Sequence, residues 1–148
     1  MPSLPDQNKQ TLNYRTMDYY FSTFLQNTTF EEAVLKTTQA LKAEGFGILT
    51  EIDIKSTLKK KLDVDFHNYK ILGACNPPLA YTALQAEDKI GTMLPCNVIL
   101  QEKEPGTIEI AAVDPAASMQ AVENDQLASV AENVREKLRK VIENTGRG

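Results

Sequence analysis

Two Cys-Asn dipeptides, Cys75-Asn76 and Cys96-Asn97, are the densest concentration of chemically capable side chains in the sequence. An ionised cysteine is a strong nucleophile and a soft ligand, and an asparagine carries donor and acceptor in one group. The local patterns around the two differ. Asn76 precedes Pro77, which is the pattern of a helix start with Asn as N-cap and Pro as the first helical residue. Cys75 is therefore expected just outside a helix N-terminus, where the dipole and free backbone N–H groups favour a thiolate or an anion. The competing reading makes Cys75 a small apolar residue that closes a strand, the commoner fate of a free cysteine. Cys96 shares a strand phase with Leu94, Val98 and Leu100, so it is expected to face the core. Asn97 then points to the opposite face unless Pro95 brings in an irregularity.

Carboxylates are the other candidates. Glu51 and Asp53 fall on one face of a strand together with Leu49, and Asp114 stands before Pro115 as an expected N-cap. Glu51 lies in mid-strand. If a second subunit covers that face, Glu51 needs a partner charge or donor, and near the Cys-Asn junctions it would make the closest approach to an acid–base group in the chain. His67 is the sole histidine. With Cys75 and Cys96 it completes the soft ligands. A closed zinc site usually takes four, so a metal would also need a carboxylate, water or a second subunit. Met93 and Met119 could join a soft pocket, or simply pack. The CxxC, P-loop, GxGxxG, GxSxG and HExxH patterns are all missing, and no cofactor is assigned. Lys55, Lys59, Lys60 and Lys61 form a basic cluster of the kind that is ordinarily a solvated face.

These residues need a frame, and a chain of 148 residues with 42% hydrophobic and 24% charged side chains has the size and composition of one globular domain. A net charge of −4 repels phosphate backbones, so no nucleic-acid partner is expected. The opening MPSLPDQNKQTLNYR has no apolar h-region, and the longest nearly apolar stretch, Met93 to Leu100, is far too short to span a bilayer. The expectation is a soluble cytoplasmic protein without a membrane partner and with reduced thiols.

Along the chain, residues 1–15 read as a loose extension, 16–145 as a single domain and 146–148 as a tail. Met17 to Leu25 alternates as a strand. Thr29 and Glu32 have capping-box spacing, and Phe30, Ala33, Val34, Thr37 and Leu41 make a helical face that ends at Gly45. Phe46, Ile48, Ile52 and Ile54 alternate on a second strand, and Lys55–Leu62 is a short helix or turn. A third strand runs from Tyr69 to Cys75, followed by a helix over about 77–87 with Leu79, Ala80, Ala83 and Leu84 inward. Strands at 93–102 and 107–113 flank a hairpin turn at Glu104-Pro105-Gly106. The last helix carries a stripe of Leu127, Val130, Ala131, Val134, Leu138, Val141 and Ile142, with Gly146 as its expected stop.

Four segments carry a family resemblance. They are Gly47-Ile48-Leu49-Thr50-Glu51-Ile52-Asp53, the run Tyr69 to Ala80 through Cys75-Asn76-Pro77-Pro78, Leu94-Pro95-Cys96-Asn97-Val98, and Asp114-Pro115 with Met119. In this order they resemble the uncharacterised family called domain of unknown function 302. The resemblance covers roughly Met17 to Glu143. It implies a small α+β fold of the TATA-binding-protein-like kind, in the order β-α-β-β-β-β-α, with about five mostly antiparallel strands, helices on one face and a tendency to form homodimers. It implies no established activity, and the family is usually basic at the position of His67.

Three functional readings follow. The first is a dimeric module that binds a small ligand or soft metal in a pocket near Cys75, with Glu51, Asn76, Cys96, Asn97 and Asp114 as further candidates. The second is a thiol-dependent enzyme or redox sensor centred on Cys75. The third is a structural or interaction protein whose motifs only determine the fold.

Overall fold

In the computed structural model, which describes residues 18–147, the chain runs β1 (Tyr20–Gln26), α1 (Phe30–Ala43), β2 (Gly47–Asp53), α2 (Ile54–Leu62), β3 (Asn68–Cys75) and α3 (Pro77–Ala86). A 3-10 segment (Asp88–Met93), β4 (Cys96–Glu104), β5 (Thr107–Val113), α4 (Pro115–Ser118) and α5 (Asp125–Arg147) complete it. The five strands form one sheet in the order β1-β5-β4-β3-β2, with every neighbouring pair antiparallel. This is the expected α+β architecture. Where the resemblance implied an unbroken run of strands, α2 and α3 separate β2, β3 and β4. The expected extension over residues 1–15, and Met17, lie outside the described residues.

Local signals account for the first half. The Thr29 hydroxyl accepts from the Glu32 amide and the Glu32 carboxylate accepts from the Thr29 amide, each at 3.1 Å. This closes the capping box that starts α1, and such a cap contributes about 1 kcal/mol. Gly45, at φ +88°, takes the left-handed conformation that ends the helix. The hairpin between β4 and β5 turns at Gly106, again at positive φ.

Among the described residues, the sheet has one face packed by helices and an open one that no helix covers. Leu72, Val98 and Ala112 are partners across β3, β4 and β5 and all are fully buried. With Leu100, Ile108 and Ile110 they form the floor on which Leu41 of α1 and Leu138 and Val141 of α5 pack. A second apolar cluster of Ala83, Ile90, Met119, Leu127 and Ala131 joins α3, the 3-10 segment and the start of α5. On the other face lie Phe24, Ile71, Ile99 and Asn97, none of them buried.

Two expectations need correction. Strand β2 does not alternate regularly, because its register slips between Ile48 and Thr50: Ile48 pairs with Ala74, but Thr50 already pairs with Gly73. One extra residue reverses the phase of everything after it. Glu51 therefore shares a row with core Leu72, and Ile52 goes to the open face beside Ile71. Gly146 is not a stop either; α5 runs through it to Arg147. A Cβ at Gly146 would collide with Thr23 Oγ1, so this glycine serves the close approach of α5 to β1. Among the described residues no helix is long and apolar enough to cross a membrane.

Candidate functional site

The Cys75-Asn76 junction is a strand end running straight into α3. Asn76 has the extended backbone of an N-cap, and its carbonyl accepts from the Ala80 amide at 2.9 Å. Its side chain does not cap α3. Instead Nδ2 donates to the Glu44 carbonyl at 3.2 Å, tying the end of α1 to the start of α3. The donor-rich helix start expected beside Cys75 is also thin. Pro77 and Pro78 occupy its first two positions and neither has an N–H, so Leu79 supplies the one free amide of the first three.

Cys96 opens β4 opposite Ala74 of β3 and is 8% exposed, facing the core as expected. Burial, with a smaller contribution from neighbouring Cys75, pushes its thiol up to about 11. A thiol in that state is a small apolar side chain at neutral pH. Asn97, the next residue, is exposed on the open face. The two Cys-Asn pairs therefore do different jobs.

Cys75, Asn76 and Cys96 do meet in one place. They line a cavity of about 360 Å³ between the end of the sheet, α3 and α5. Ala80 and Ala83 of α3 and Val130 and Ala131 of α5 form its sides. Leu49 and Leu84 line it while remaining 65% and 42% exposed, so they form its mouth. Among the described residues, none that lines the cavity carries a charge. Leu49 reaches the cavity because of the β2 register slip, since it is the residue skipped between the Ile48 and Thr50 pairings. Small side chains facing one another on α3 and α5 leave the space, but in the sequence an alanine that leaves a gap looks the same as one that lets helices touch. The four residues expected inward on α3, Leu79, Ala80, Ala83 and Leu84, all line it.

The remaining candidates are elsewhere. Glu51 is exposed and pairs with Lys70 at 3.1 Å, which is a surface ion pair and not a buried acid. Asp114 caps α4 through the Ala116 and Ala117 amides at 3.0 and 3.4 Å, and its second oxygen accepts from Arg135 Nε at 3.2 Å. The Arg135 guanidinium in turn lies 5.3 Å over the Phe21 ring. His67 Nε2 lies 2.9 Å from Gln101 Oε1, and Gln101 Nε2 donates to Glu109 on β5 at 2.9 Å. This chain crosses the end of the sheet away from the Cys-Asn junctions: Gln101 pairs with Tyr69, while Cys96 pairs with Ala74. Cys75, Cys96 and His67 are thus not a ligand set, and among the described residues no three or more His, Cys, Asp or Glu come together to hold a metal.

The family model described as domain of unknown function DUF302 matches residues 21–145. The chain belongs to that family. Its structure is similar to the crystal structure of an uncharacterised conserved DUF302 protein from Bacillus stearothermophilus, with a TM-score of 0.78 and 25% identity, covering 86% of this chain and 98% of that one. No curated protein matches the chain.

Within this DUF302 fold, the residues that carry the resemblance separate by what the structure asks of them. Gly73 is required by packing: a Cβ there would collide with Thr50 Oγ1 and lie 2.8 Å from Pro95 Cγ. Asn76 ties two helices together, and Asp114 caps and ion-pairs. Leu49, Cys75, Leu79 and Met119, by contrast, converge on the cavity wall.

Proposed function

We propose that this DUF302 protein is a binding module that holds a small molecule in the cavity bounded by Cys75 and Cys96, and that it works as a homodimer. The cavity carries the reading. Cavities of ligand size are few per protein and are the default binding site of a small domain. The candidates for proton transfer, Glu51 and Asp114, are engaged in ion pairs outside it. A thiol activity at Cys75 has less to rest on, because the prolines that start α3 remove the donors that would stabilise a thiolate.

Native mass spectrometry of the purified protein, read beside its thermal stability, tests the binding role. A bound species should be found with wild type and lost with Ala80→Phe, which fills the cavity from its half-buried wall. A ligand-free wild type whose melting temperature responds to no metabolite would refute it, since a ligand that binds only the folded state must stabilise it. Support for the dimer is the open sheet face, whose Phe24, Ile52, Ile71 and Ile99 would be covered in a pair. Sedimentation equilibrium should find a dimer that Ile71→Glu dissociates; a monomeric wild type removes this part.

A further inference from the structure

The cavity wall also constrains the chemistry of what it holds. Among the described residues, those lining it are aliphatic, aromatic, glycine, proline, methionine or cysteine, with Asn76 as the one exception. One end of the Asn76 amide is already engaged with the Glu44 carbonyl. Cys96 contributes a protonated thiol, since its burial holds it in the neutral form. A carboxylate, phosphate or ammonium enclosed here would meet no opposite charge and almost no hydrogen-bond donor, at a cost of several kcal/mol. A hydrocarbon surface would meet an unbroken apolar wall.

The mouth agrees with the wall. Leu49 and Leu84 are large apolar side chains left in water. Leu49 is there because of an irregularity in the edge strand, and bulges of this kind re-aim a side chain at a local site. A leucine at 65% exposure adds little to the fold, and at the mouth of the cavity it offers apolar contact to a bound molecule.

Resting on the binding role above, we infer that the ligand is an uncharged, compact, largely hydrocarbon molecule, that it enters between Leu49 of β2 and Leu84 of α3, and that Leu49 is a specificity-determining contact. A volume of about 360 Å³ has room for a fused two-ring or short branched hydrocarbon skeleton, whose apolar surface would then lie against the wall.

The test compares 2-naphthol, neutral at pH 7.5, with 2-naphthoate, of similar shape but anionic, by calorimetry or fluorescence titration. 2-Naphthol should bind at least tenfold more tightly. Ala80→Phe should abolish its binding. Leu49→Ser should weaken it about fivefold to tenfold, the loss expected for one apolar side-chain contact, with the melting temperature unchanged. Tighter or equal binding of 2-naphthoate that Ala80→Phe abolishes would overturn the inference about charge and leave the binding role standing. Absence of binding by both probes, or binding indifferent to Ala80→Phe, would overturn the inference, and native mass spectrometry then decides the binding role separately. Wild-type affinity in Leu49→Ser would refute the assignment of the mouth.

Discussion

Alkaline titration of Cys96 measures how dry the cavity floor is, and dryness is what an apolar site requires. The thiol moves from 9.0 to about 11 in the folded protein, chiefly because burial disfavours the thiolate. A raised pKa means that the folded state holds its proton longer than the unfolded state. The corresponding stability is complete below pH 9 and is lost as pH rises towards 11. By linkage, at pH 10.5 the loss amounts to about 2 kcal/mol, from a shift worth roughly 1.4 kcal/mol per unit. Tyrosines and lysines titrate in the same range, so the measurement must be differential. Urea unfolding of wild type and Cys96→Ala, in a reducing buffer at pH 8 and pH 10.5, isolates the one group. Wild type should lose about 2 kcal/mol more than the variant over this interval, whatever the fixed cost of removing the sulfur. Parallel pH profiles, within about 0.5 kcal/mol, would show that water reaches Sγ through the cavity. The apolar-ligand argument would then lose its footing.

Three further outcomes are expected. Iodoacetamide should label half-exposed Cys75 in the native protein and reach Cys96 only on unfolding; peptide mapping that finds both labelled at equal rates would contradict the burial of Cys96. Gly73→Ala should destabilise by about 1–3 kcal/mol through overpacking against Thr50 and Pro95, and adding Thr50→Ala should return part of the loss in a denaturation series. Asp114→Ala should cost about 1–2 kcal/mol by removing the α4 cap and the most buried of Arg135's carboxylate partners, Glu132 and Glu136 remaining, while Asp114→Asn, which keeps an acceptor, should cost less in the same unfolding assay.

Much of the frame was legible in the residues. The Thr29–Glu32 capping box, the left-handed Gly45, the Gly106 turn and the long apolar stripe of α5 are local patterns whose chemistry acts within a few residues. The inward direction of Cys96 and the outward direction of Asn97 follow from strand alternation alone. The role of Asp114 as a cap follows from its place before Pro115, whereas the free amides expected beside Cys75 are thinned by Pro77 and Pro78.

Longer-range facts were decided only by the tertiary structure. Alternation holds only while register holds, so the slip after Ile48, invisible in β2 itself because it is defined against β3, reversed the side of Glu51 and Ile52 and turned Leu49 towards the cavity. Asn76 looked like a side-chain cap, but its partner proved to be Glu44, thirty-two residues earlier. Gly146 read as a helix stop because the reason for it, the side chain of Thr23, belongs to a strand at the other end of the chain. The cavity depended most on the fold, since it is bounded by β2, β3, α3, α4 and α5 at once. A sequence specifies which surfaces are apolar, but whether two such surfaces meet closely or leave a space between them depends on how the whole chain packs.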